Sequence, residues 1–266
     1  GAAPNQQIAP AVSWLLRNRR RRFYLLGSDY VFPRTANLII KAKLRDEGGY
    51  VAGEEYTPLG NMEYSSVVGR IRTAKPEVVF STINGISNVA FYRQYRNAGI
   101  TAEDIPIMAV SAAEDEVRAI NAAAAQGHYA AWNYFQSLDT PENKLFVDKF
   151  RARYGSNRVT DDPIETAYSQ VHLWAQAVQK AGSIEVDAIR TAALGQEFGS
   201  PGGRIRIDPK NLHTWKTVRI GKIQPDGQFR IVYSTESPLR PEPWNHLLFP
   251  DRVCDWTRGG IVDKRN

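Results

Sequence analysis

Phe23-Tyr24-Leu25-Leu26-Gly27-Ser28-Asp29-Tyr30-Val31-Phe32-Pro33-Arg34 decides the fold. The short apolar run 23–26 stops at Gly27-Ser28-Asp29, which predicts a buried strand ending in a turn. Pro33 then suits the first turn of a helix, where its missing N–H costs nothing. That helix runs to about Glu47 and ends at Gly48-Gly49. The same alternation repeats downstream. Strands are expected over 50–56, 78–81, 105–110 and 128–135. Helices are expected over about 63–74, capped by Asn61, and over 87–98, closed by Gly99. Ser111 and Glu114 have capping-box spacing for another helix start. Strands alternating with helices of about 10–15 residues predict βαβ units and an α/β, doubly wound, mainly parallel sheet covered on both faces. Right-handed crossovers follow.

After Asp139-Thr140-Pro141-Glu142 the texture changes. Helices are expected over 141–154, 163–181 and 186–194. From Gly202 the pattern is β, over 204–207, 217–223 and 228–233, with Pro225-Asp226-Gly227 turning the last two into a hairpin. The tail from Pro238 is rich in Pro, Trp and Arg and reads as irregular.

Composition bounds the function. The 266 residues are 42% hydrophobic and 23% charged, an ordinary globular balance. No apolar run approaches the ~20 residues of a membrane-spanning helix. The single cysteine, Cys254, excludes an internal disulfide framework and a cysteine-based zinc site. Four scattered histidines argue against a histidine metal site, and no cofactor is expected. The formal charge of +6 is compatible with solubility charge alone. The run Arg19-Arg20-Arg21-Arg22 lacks the interleaved aromatics that stack bases, so it reads as a solvated loop and not as direct nucleic-acid contact. The chain opens on Gly1-Ala2-Ala3-Pro4, with no charged and apolar segments of a signal peptide.

In an open parallel sheet the ligand sits beyond the carboxyl ends of the strands. Those ends offer Ser28, Asp29 and Tyr30; Thr82, Asn84 and Gly85; Ser111; and Trp132, Asn133 and Tyr134. The set holds hydroxyls, amides and aromatics, without lysine, cysteine or histidine. It suits a small polar, largely neutral molecule held by hydrogen bonds between aromatic walls. The competing explanation is that turns need Ser, Asp and Asn anyway. Nucleophile elbows, phosphate loops, metalloprotease helices and dinucleotide fingerprints are all absent from the sequence. Asp161-Asp162 and Glu114-Asp115-Glu116 fall at helix starts, where acidic residues complement the dipole. No catalytic residue is assigned and the chain reads as a non-enzyme.

Several stretches together carry a family resemblance. They are 27–34, 76–85, Ala131-Trp132-Asn133-Tyr134-Phe135-Gln136-Ser137, Asp139-Thr140-Pro141-Glu142-Asn143, His213-Thr214-Trp215-Lys216-Thr217 and 238–243. In this order the chain resembles the urea-binding proteins of urea ABC transporters. It is also similar to the amide-sensing regulators of amidase operons. Both fall in the branched-chain amino acid branch of the type I periplasmic binding proteins. The resemblance implies two lobes with ligand in the cleft between them, one lobe incomplete here. It places 20–132 plus 202–233 in the second lobe, 1–19 plus 136–198 in a remnant of the first, and 238–266 in an irregular tail. The ligand residues it implies are Tyr30 first, then Asp29, Trp132, Tyr134, Asn84 and Ser111; Phe32 stands where the amide sensors carry a second tyrosine.

The function implied is a solute-binding protein for urea or a short amide, partnered by ABC permease subunits and located in the periplasm or elsewhere outside the cytoplasm. The alternative is a cytoplasmic amide-responsive regulator that sequesters an RNA-binding antiterminator. With one lobe incomplete, helix faces near 171–178 would lack their sheet. Exposed patches of that kind promote association, so a homo-oligomer joins the expected partners.

Overall fold

The computed structural model describes residues 1–264. In chain order the elements are α1 (Ile8–Arg17), β1 (Arg22–Ser28), α2 (Val31–Glu47), β2 (Tyr50–Thr57), α3 (Ser65–Ala74), β3 (Val78–Thr82), α4 (Ile86–Asn97), β4 (Ile107–Ala109), α5 (Glu114–Ile120), α6 (Ala122–Ala125), β5 (Tyr129–Trp132), α7 (Pro141–Tyr154), α8 (Asp162–Ala181), α9 (Val186–Ala193), β6 (Glu197–Ser200), β7 (Gly203–Ile207), β8 (Thr214–Trp215), β9 (Arg219–Ile223), β10 (Phe229–Ser234), β11 (Arg252–Asp255) and β12 (Gly260–Asp263). They form two units.

The sheet unit comprises Gln7–Trp132 and Arg219–Tyr233. Its seven strands lie in the order β10-β9-β5-β4-β3-β1-β2. Strands β1 to β5 pair parallel, and β9 joins β5 antiparallel. β1 and β3 are buried along almost their whole length, which explains their unbroken apolar runs. Phe23 stacks on Phe80 across them, with ring centres 6.5 Å apart. Gly48 adopts the left-handed conformation at φ 78° and ends α2, its N–H bonding to the Leu44 carbonyl.

Residues 7–19 belong to this unit and not to a separate remnant. α1 lies along α2, and the Ser13 hydroxyl donates to Glu47 at 2.9 Å. The arginine run has a local structural role. Glu77 accepts the N–H groups of Arg21 and Arg22, and the Arg21 guanidinium donates to the Gly48 carbonyl at 2.8 Å, at the end of α2.

Two helix starts differ from expectation. Asn61 does not cap α3: its amide donates to the Glu63 carbonyl, and the Glu63 carboxylate takes the Ser65 N–H at 2.9 Å. Ser111 does not cap α5 either. That helix begins at Glu114, and Glu116 reaches back to the Ala113 N–H at 2.9 Å.

The helical unit comprises Gly1–Gln6, Asn133–Val218 and the chain from Ser234 onward. α7 starts on Thr140 and α8 on Asp161. Their side chains accept from the N–H groups of Asn143 and Ile164 respectively. The stretch from 203 to 218 falls here, not with 219–233, because β7 pairs antiparallel with both β6 and β8. The tail is more ordered than its composition implies: β11 and β12 form an antiparallel hairpin around Trp256–Arg258. On α8, Leu173 and Ala177 are buried, whereas Val171 and Trp174 are 64% and 55% exposed.

Candidate functional site

The carboxyl edge of the sheet unit gathers five of the six residues singled out from sequence. β1 delivers Asp29 and Tyr30 into the turn before α2, β3 delivers Asn84, and Ser111 and Trp132 stand at the ends of β4 and β5.

Asn84 and Tyr30 are organised together. The Ser28 hydroxyl, wholly buried, accepts the Asn84 backbone N–H at 3.1 Å. The Asn84 amide nitrogen donates to the Tyr30 hydroxyl at 3.0 Å and to the Thr82 carbonyl at 3.1 Å. A carbonyl can only accept, so Thr82 fixes which end of the amide is nitrogen. Both amide N–H groups are thereby used, and Oδ1 is the acceptor left to a ligand. Tyr30 uses a lone pair on Asn84 and retains its O–H as a donor. Burial raises its pKa, so the phenol keeps that proton at neutral pH.

Asp29 is held from the first turns of α2. Nε and Nη2 of Arg34 both reach the same carboxylate oxygen, Oδ1, at 2.8 and 2.7 Å. The Arg34 guanidinium lies over the Tyr56 ring, 4.4 Å from its centre. The Tyr56 hydroxyl donates to Glu54 at 2.6 Å and accepts from Asn37 at 3.0 Å. Burial, followed by the Glu54 carboxylate, pushes the Tyr56 pKa up to about 12. Arg34 and Tyr56 escape a reading of strand ends alone. Arg34 sits inside the quoted motif, but its five-residue spacing from Asp29 is not a helical one.

Ser111 and Trp132 have less to offer. The Ser111 hydroxyl donates to the Ile83 carbonyl, and the Trp132 indole N–H donates to Ala112 at 2.9 Å. What Trp132 can present is its ring face. Tyr134 is not at this edge. It belongs to the helical unit, is wholly buried beside Phe146, and its hydroxyl meets Asn143 and Thr160, each at 2.7 Å. Among the described residues no group of three histidines, cysteines or carboxylates could hold a metal, and no helix is long and apolar enough to cross a membrane.

The periplasmic binding protein domain family matches residues 1–249. The chain belongs to that family. It is 39% identical over 119 residues to a limonene hydroxylase of Geobacillus stearothermophilus, across 45% of this chain and 22% of that protein. It is 27% identical over 201 residues to Leu/Ile/Val-binding protein homolog 6 of Brucella melitensis, across 74% of this chain and 51% of that protein. A solved solute-binding protein of an ABC transporter from Rhodopseudomonas palustris, in complex with 3,4-dihydroxybenzoic acid, superposes with a TM-score of 0.78 at 22% identity. That match covers 89% of this chain and 66% of the other. The family chain here thus spans about half the length of the Brucella relative. The shared architecture is the type I periplasmic binding protein fold, α/β with a mostly parallel central sheet.

Proposed function

We propose that this chain is a solute-binding protein of an ABC importer whose ligand is urea or a short primary amide, bound at the carboxyl edge of the sheet unit. The observation that carries the reading is the Tyr30–Asn84 pair. One retained O–H donor stands beside one retained carbonyl acceptor. A primary amide or urea presents the converse: a carbonyl to accept from Tyr30, and N–H groups to donate to Asn84 Oδ1 and to the second oxygen of Asp29. The ring faces of Tyr30, Phe32 and Trp132 suit a flat solute; Tyr30 and Phe32 have centres 6.2 Å apart. Membership of the family, and relatives named for amino-acid and aromatic-acid binding, support solute capture, a permease partner and a location outside the cytoplasm. Binding of this kind needs no nucleophile, so the reading is of a non-enzyme.

The test is calorimetric titration with urea, acetamide, leucine and benzoate, paired with thermal shift. Ligand at 100 times its Kd stabilises the fold by about 2.7 kcal/mol. Urea or acetamide binding is expected, weakened about 2- to 10-fold in Tyr30→Phe, the range for one neutral hydrogen bond. A response to leucine or benzoate with none to urea or acetamide would overturn the amide reading.

A further inference from the structure

We propose that the Asp29–Arg34 ion pair sets the charge selectivity of this edge, with Arg34 as a specificity-determining residue. The inference rests on the amide reading above. The two residues place opposite unit charges next to the turn that carries Tyr30, Asp29 from that turn and Arg34 from the start of α2. Because Nε and Nη2 of Arg34 converge on one carboxylate oxygen, the other oxygen of Asp29 keeps its capacity to accept an N–H from solute. The pair therefore leaves a hydrogen-bond acceptor in place while cancelling its charge. An uncompensated Asp29 would draw cations to the edge, and an uncompensated Arg34 would draw anions.

Arg34 is anchored from behind. Its guanidinium rests on Tyr56, whose hydroxyl is fixed between Glu54 and Asn37, and Glu54 is in turn paired with Lys41 at 2.8 Å. Planar stacking and a fork of donors are properties of arginine that lysine lacks. Asp29 and Arg34 are about half exposed, 47% and 55% in their side chains, so their substitution does not open the core. The same exposure limits the effect: one unit charge at about 4 Å in water is worth roughly a fivefold change in affinity.

The probes are three molecules of nearly one shape and different charge: acetamide, acetate and acetamidinium. The intact chain is expected to prefer acetamide. Arg34→Gln should shift the acetamidinium-to-acetamide ratio upward by about fivefold. Asp29→Asn should shift the acetate-to-acetamide ratio upward by a similar factor, and the double variant D29N/R34Q should return to a neutral preference. Arg34→Lys keeps the charge without the stacking, so retained selectivity there separates charge from packing. Circular dichroism confirms that each variant is folded. If the intact chain binds none of the three, the amide reading fails and this inference with it. If the intact chain binds acetamide but the ratios stay fixed in both single variants, the charge assignment alone is overturned.

Discussion

Gly27 lies between the buried strand and the site, and replacing it with alanine tests the packing there. The residue sits near the end of β1, opposite Tyr56 on one side and Thr82 on the other. A Cβ added at Gly27 would lie 2.7 Å from Pro33 Cβ and 2.7 Å from Thr82 Oγ1. Carbon atoms in contact prefer about 3.5–4.0 Å, so something must shift. Neither neighbour yields easily. Pro33 Cβ belongs to a ring in the first turn of α2, and Thr82 is β-branched and wholly buried in β3. Overpacking of this kind costs about 1–3 kcal/mol, offset by up to about 1 kcal/mol because alanine restricts the unfolded chain. The net expectation is a loss of about 1–2 kcal/mol, or roughly 2–8 °C in Tm at about 2–4 °C per kcal/mol. Gly69 supplies the control. It lies inside α3 with nothing within 4 Å of an added Cβ, so Gly69→Ala should gain about 1 kcal/mol from helix propensity. Thermal unfolding followed by circular dichroism is the assay, since urea as denaturant would also act as a candidate ligand. A displaced first turn of α2 carries Arg34 with it, so amide affinity should fall in Gly27→Ala and stay level in Gly69→Ala. A Gly27→Ala chain that melts at or above the parent temperature, with Gly69→Ala stabilised, would refute the packing argument.

Two further predictions concern titration. His128 is almost wholly buried and its Nδ1 accepts the Ile107 N–H at 2.9 Å; burial drives its pKa down to about 3. The folded chain therefore holds it neutral while the unfolded chain titrates near 6.5. Its contribution is complete above about pH 6.5 and is lost on acidification toward pH 3, reaching about 2 kcal/mol by pH 5. Imidazole resonances that stay flat from pH 8 to 5 check this; a midpoint near 6.5 contradicts it. Asp208 accepts from Arg240 at 2.8 Å, from Trp215 Nε1 at 3.1 Å and from the N–H groups of Lys210 and Asn211. These donors outweigh burial, which acts the other way, and hold the carboxyl at about 2. Its stabilisation is present above the unfolded value near 3.9 and disappears as pH falls toward 2. Asp208→Ala should cost about 1.5–3 kcal/mol at pH 7, the range for hydrogen bonds to a charged group. Equal melting of variant and parent at pH 7 would remove Asp208 from that role.

The sheet was legible in the sequence for a physical reason. β1 and β3 are covered on both faces, so their residues form unbroken apolar runs, and glycines or turn residues punctuate each end. The errors lie where a distant segment decides. The run 128–135 reads as one strand, yet β5 stops at Trp132. Asn133 turns away because its amide serves the carbonyls of Gln6 and Thr217, and Tyr134 follows it into a core completed by Thr160. Nothing local to 133–134 announces partners so far along the chain. For 203–218 the deciding pairing is local: β7 folds back on β6 across Ser200 and Gly203 and pairs with β8 on its other side, which its own alternation does not announce.

At the site, the strand-end rule selects positions but cannot say which polar atoms remain for a ligand. Asn84, Ser111 and Trp132 look equivalent as sequence, each a hydrogen-bonding residue at or just past the end of a strand. Trp132 spends its N–H on Ala112, and Ser111 its hydroxyl proton on Ile83. Asn84 is different only because the Thr82 carbonyl pins its nitrogen end, which turns the oxygen into an acceptor and leaves the Tyr30 proton to donate. The donor–acceptor pattern on which the amide reading rests is therefore set by backbone carbonyls at the end of β3 and in the turns beyond the strands. Asn84→Asp replaces both amide donors with a carboxylate, which accepts the Tyr30 O–H and so withdraws that donor from a ligand. Its amide affinity should then fall by more than that of Tyr30→Phe, because the carboxylate loses the bond to the Thr82 carbonyl as well as occupying the Tyr30 proton. An Asn84→Asp chain that binds acetamide as tightly as the parent would show that the orientation of this side chain does not matter to the ligand.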